Sequence, residues 1–211
     1  MNLIIITMCI GLLGAFFMFL GDMSLYYDKD GFDVTNAQAS IIEIMKKVGT
    51  KRLYIGGLLG PLSAFLYVFG YYHILLFTRV EYGLLAFICF LVLCLGIVFA
   101  AAYHSQCANL GLIGRCEHIP SMQETLNYTN LQKKFVFTFL GIGNLLLAIL
   151  IGLGYTILPQ WMILFSPLAW MFWLPLLNKL PKKLHIILVG GWFNLVSVLY
   201  YGSALITFFL L

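Results

Sequence analysis

From Gly83 to Tyr103 the chain reads GLLAFICFLVLCLGIVFAAAY, a run without one charged side chain. As a helix rising 1.5 Å per residue it is about 30 Å long, the thickness of a bilayer's hydrocarbon core. A segment in lipid must satisfy its own backbone hydrogen bonds, which leaves only a helix or a strand of a closed barrel. Barrel strands alternate apolar and polar residues, and this run does not. It can only be a transmembrane helix.

Five other windows share its character, giving expected spans at residues 3–21, 53–77, 83–104, 135–157, 161–177 and 185–211. Pro167 and Pro175 fall in the fifth and shortest, where a kink or break is expected. Composition agrees: 62% of residues are hydrophobic and 9% charged, where a soluble domain carries about a quarter charged. The fold class is therefore all-α, a polytopic six-helix transmembrane bundle forming one domain over residues 1–211. The first window lacks the basic n-region of a secretory signal and exceeds its usual length, so it reads as a mature helix.

Basic residues set the orientation. Lys29, Lys46, Lys47, Lys51 and Arg52 lie in the first loop, Arg115, Lys133 and Lys134 in the third, and Lys179, Lys182 and Lys183 in the fifth. Only Arg79 falls on the other face. Short loops rich in Lys and Arg remain cytoplasmic, so both termini are expected outside a cell membrane crossed several times. The net charge of +4 then reflects attraction to anionic lipids of the cytoplasmic leaflet and not to nucleic acid.

Between the first two spans, Thr35 or Asn36 can cap a helix running to about Lys47. Ile41, Ile42, Ile44 and Met45 form its apolar side, making a short interfacial amphipathic helix that docks on lipid or covers the cytoplasmic mouth. Asp28, Asp30 and Asp33 precede it, but no later glutamate completes a calcium loop of the EF-hand kind.

Candidate chemistry is sparse. The stretch HSQCANLGLIGRCEH offers His104, Cys107, Cys116 and His118 at a spacing unlike common zinc fingers, and a reducing cytoplasm disfavours a Cys107–Cys116 bridge. A helix end followed by a loop is the simpler account, and no metal or other cofactor is expected. Asp22 and His104 each close a span at the same level. A carboxylate beside an imidazole fixes its tautomer and makes an acid–base or proton-relay pair, whereas two wet headgroup-level residues would do nothing.

Spans four and six carry stripes Gly141/Asn144/Ala148/Gly152 and Gly190/Asn194/Ser197/Tyr201. Small residues and buried amides glue helices together, which is the simpler reading; alternatively Asn144, Asn194, Ser197 and Tyr201 line a ligand cavity. Gly56, Gly60 and Ala64 in span two predict close packing, and Pro61 a kink. His73, with Tyr71 and Tyr72, fits an aromatic belt at the outer interface.

The stretches GDMSLYY, KRLYIGGLLGPLSAFLYVFGYYH and AAYHS resemble a family of uncharacterised bacterial multipass proteins, which implies a six-helix membrane protein with no activity to carry over. A fainter likeness to ceramidase and progestin-receptor-like hydrolases would imply zinc held by three histidines. This chain lacks their late H-x3-H pair. Three classes of function remain open: binding or transport of a small or amphipathic, lipid-like molecule through a cavity open to the cytoplasmic side; lipid modification by Asp22 and His104; or an accessory subunit with no site of its own.

Overall fold

The computed structural model describes residues 2–28, 43–115, 119–177 and 179–210. Helix α1 spans Asn2–Tyr26, α2 Thr50–Tyr71, α3 His73–Phe77, α4 Gly83–Gly114 and α5 Ile119–Gly152. A 3₁₀ segment at Gln160–Phe165 and the short helices α6, Pro167–Met171, and α7, Leu174–Leu177, lead to α8, Lys182–Leu210. Among the described residues five helical stretches are long and apolar enough to cross a membrane. The chain is a multi-pass membrane protein.

The fifth expected span, 161–177, is not a continuous helix. Pro159 and Pro167 each lack an N–H and start short helical pieces, and the Ser166 side chain caps the second by accepting from the Ala169 N–H. The pieces nevertheless carry the chain along the bundle. The α5 end packs against the α3 end, since Ile157 donates to the Phe77 carbonyl and Arg79 to that of Tyr155. Helix α8 then runs antiparallel to α1, with Gly191 against Phe19 and Tyr201 against Gly11. Residues 153–181 thus return the chain to the end where Tyr26, Thr50 and Gly114 lie, here called the basic end.

The loop expected at 106–134 is mostly helix. Helix α4 continues to Gly114 because His104, Cys107, Ala108, Gly111 and Gly114 share a buried face, a 3.6-residue repeat running past the last strongly apolar residues. Helix α5 begins at Ile119 and ends at Gly152 instead of 157, where Gly154 adopts φ +72°. That left-handed value suits a residue without Cβ, and the chain beyond it pairs Thr156 with Thr78.

Close packing on α2 proceeds as its small residues dictate. A side chain on Gly56 would strike Leu25, on Gly57 Ala108, and on Gly60 His104. Pro61 leaves the Gly57 carbonyl without its helical donor, and Ser105 Oγ donates to it at 3.2 Å. The α5 stripe differs from expectation. Gly141 faces open space, while Gly143, outside that stripe, meets Leu93.

At the basic end, Arg52 donates through Nε to the Ser24 carbonyl at 3.0 Å and through Nη2 to those of Met23 and Tyr27. Carbonyls of the last turn of a helix lack some or all of their helical donors, and Arg52 supplies the N–H groups here. Of the expected interfacial helix, residues 43–47 are described and helical; Thr35, Asn36, Ile41 and Ile42 lie outside the described residues, as do Asp30 and Asp33. Ile44, Met45 and Val48 are buried with Leu25, Tyr26, Leu53, Cys107 and Ala108, so this turn covers the basic end of α1, α2 and α4. Arg115 holds it there, donating to Thr50 Oγ1 and to the Val48 carbonyl.

Candidate functional site

Asp22 sits four residues before the end of α1, and His104 ten before the end of α4. His104 is thus well inside its helix instead of closing it. The two meet: His104 Nε2 lies 3.2 Å from Asp22 Oδ1. The other carboxylate oxygen, Oδ2, accepts from Asn194 Nδ2 of α8 at 2.6 Å. Asn194 Oδ1 in turn accepts from Tyr67 OH of α2 at 3.1 Å. Four helices therefore converge on one carboxylate, which is 7% exposed, with His104 4% exposed.

Local sequence makes room for this convergence. Gly60 lets the His104 Cβ approach α2, and Gly21 lies under the imidazole edge, where a Cβ would stand 3.5 Å from Nδ1. That nitrogen is buried without a hydrogen-bond partner. With Nε2 turned to a carboxylate, neutral His104 carries its proton on Nε2 and an acceptor lone pair on Nδ1. A carboxylate on Nε2 and a free lone pair on Nδ1 is the orientation that an imidazole base requires. One turn towards the basic end, Tyr26 OH and Cys107 Sγ lie 3.1 Å apart and join α1 to α4 again.

Of the four residues expected along spans four and six, only Asn194 joins the Asp22–His104 pair. Asn144 Nδ2 donates to the Leu140 carbonyl of its own helix, and Ser197 Oγ likewise to the Phe193 carbonyl. Tyr201 is buried between Gly11 and Gly70, its hydroxyl without a partner. His73 does not belong to a surface belt: it is fully buried, and its Nε2 lies 2.8 Å from Tyr200 OH. Helix α8 supplies that partner, a contact invisible from span two alone. Of the possible metal cluster, Cys116 and His118 lie outside the described residues, whereas Cys107 faces Tyr26. Sequence reasoning missed Tyr67, although it continues the buried line Gly56, Gly60, Ser63 at helical spacing.

Residues 1–209 match a family of unknown function, DUF6796. The chain belongs to this family. No curated protein and no solved structure matches it. The match agrees with the resemblance to an uncharacterised family, and the likeness to ceramidase and progestin-receptor-like hydrolases is not shown. For this DUF6796 member the geometry around Asp22 is therefore the guide to chemistry.

Proposed function

We propose that this protein binds a small amphipathic, lipid-like molecule from the cytoplasmic leaflet and handles a proton on it at the Asp22–His104 pair. The observation that carries this reading is the Asp22 carboxylate, held on both oxygens by His104 and Asn194, behind an imidazole whose second nitrogen is unengaged. An ionisable pair this far from water is costly, which favours a use for it beyond packing. Depth supports a lipid-like ligand. His104 lies 21 residues from Gly83, and Asn194 lies 16 from Leu210, about 31 and 24 Å along their helices. The first is about one hydrocarbon thickness and the second falls about 6 Å short of it, which sets the pair just inside the headgroup level.

The test is retention and conversion of lipid. Purified protein should be incubated with a bacterial lipid extract and its bound and released amphiphiles compared by mass spectrometry. Wild type should enrich or alter one species, and Asp22→Asn and His104→Gln should lose that effect while eluting as folded protein. Equal lipid profiles for all three would return the pair to a purely packing role.

In the proposed orientation the basic end is cytoplasmic and both termini lie outside, following the distribution of Lys and Arg. Reporter fusions active only in the cytoplasm should be silent after Leu211 and active after Asn127. The reverse pattern would invert the molecule and bring the site to the outer leaflet.

A further inference from the structure

On the α5 surface near the basic end lies an open groove lined by Asn130, Lys133, Lys134, Phe137 and Thr138. Two ammonium groups and two neutral polar side chains line it, and no carboxylate does. Lys133 Nζ stands 5.8 Å from the centroid of the Phe137 ring, resting its cation on an aromatic face. Phe137 also packs on Phe193 of α8, with ring centroids 4.9 Å apart, and Phe193 precedes the Asn194 that holds Asp22.

The groove's depth is set by the helix. Lys134 precedes Gly152, the far end of α5, by 18 residues, about 27 Å of rise. That is close to one hydrocarbon thickness, so the lysines stand at the headgroup level on the basic side. Towards the bilayer centre α5 exposes apolar side chains, Phe137 in the groove and Ile142 and Leu145 beyond it. A site with cations at headgroup level and an aromatic wall below it is complementary to a phosphate carrying acyl chains.

We infer that this groove on the α5 surface is a binding site for an anionic phospholipid, with Lys133 and Lys134 on the phosphate, Asn130 and Thr138 donating beside it, and Phe137 against the acyl chain. This deepens the proposed function by naming the ligand's headgroup chemistry, but the lipid contact does not depend on Asp22. Each lysine near such a headgroup contributes enough that losing both weakens binding roughly thirty-fold.

Delipidated protein in detergent, titrated with phosphatidylglycerol and followed by native mass spectrometry, tests this. One lipid should bind wild type with clear preference over phosphatidylcholine, and K133Q/K134Q should bind it more than tenfold more weakly. The exposed Lys179→Gln should leave binding unchanged. Asp22→Asn should keep the lipid, so a failure of proton handling and a failure of headgroup binding are separable. Equal binding of phosphatidylcholine, an unaffected double variant, or displacement by millimolar inorganic phosphate would each overturn the assignment.

Discussion

Asp22→Ala should lower the unfolding free energy by about 2–6 kcal/mol, from about 1–3 for each of two buried donors left unsatisfied. The deletion strands two groups at once, His104 Nε2 and Asn194 Nδ2, both directed at the carboxylate. Asn194→Ala should cost far less, about 0.6–1.7 kcal/mol, the range for hydrogen bonds between membrane helices. It removes a neutral donor to Asp22 and the acceptor of Tyr67 OH, and leaves the Asp22–His104 pair intact. The double variant Asp22→Ala/His104→Ala should be more stable than the sum of its single changes implies, because neither partner of the bond is then left unsatisfied. Equilibrium unfolding of the purified protein in mixed detergent measures all four. Additive losses at Asp22 and His104 would show that the two do not share a proton or a bond.

The second large effect is steric. A methyl group on Gly70 would run into the Gly11 Cα and stand 3.0 Å from both the Gly11 nitrogen and Tyr201 OH. Backbone cannot rotate aside, so α1 and α2 must part along their crossing. Gly70→Ala should therefore cost about 1–3 kcal/mol, as overpacking generally does. Gly141→Ala is the matched contrast. That position faces open space, and alanine in a helix interior is favoured over glycine by about 0.5–1 kcal/mol. Thermal unfolding should place the two variants on opposite sides of wild type. A destabilised Gly141→Ala would mean that a partner covers this face of α5.

The Asp22–His104 pairing was legible because α1 and α4 run in the same direction and each carries, of Asp, Glu, Lys, Arg and His, one residue only, at matching depth. The covalent order of the spans puts those residues on one level. Asn194 was legible as a buried amide, but its partner was not. Two asparagines at equal depth invite pairing with each other, and only the rotation of each helix decides the matter. Asn144 turns to its own backbone, while Asn194 faces α1 and α2. Rotation about a helix axis is set by packing on neighbouring helices, and a helix apolar on all sides carries little periodic signal of it. Helix lengths were misjudged for a related reason. Hydropathy marks where lipid ends, whereas α4 and α5 continue past that boundary on a face buried against protein. His73 was misplaced because tyrosines beside it suit an interface as well as a core.

The broken stretch at 160–177 has a consequence for biogenesis. A continuous helix can leave the insertion machinery alone, since its peptide groups are paired within itself, but short pieces begun at Pro159 and Pro167 cannot rest in lipid unaccompanied. Trp170, Leu177 and Leu180 pack with Trp192, Leu188 and Val196 of α8, a helix that the ribosome makes afterwards. The 160–177 stretch must therefore wait near the translocation channel until α8 has been synthesised. Synthesis of α8, and not of the stretch itself, times the docking of these pieces.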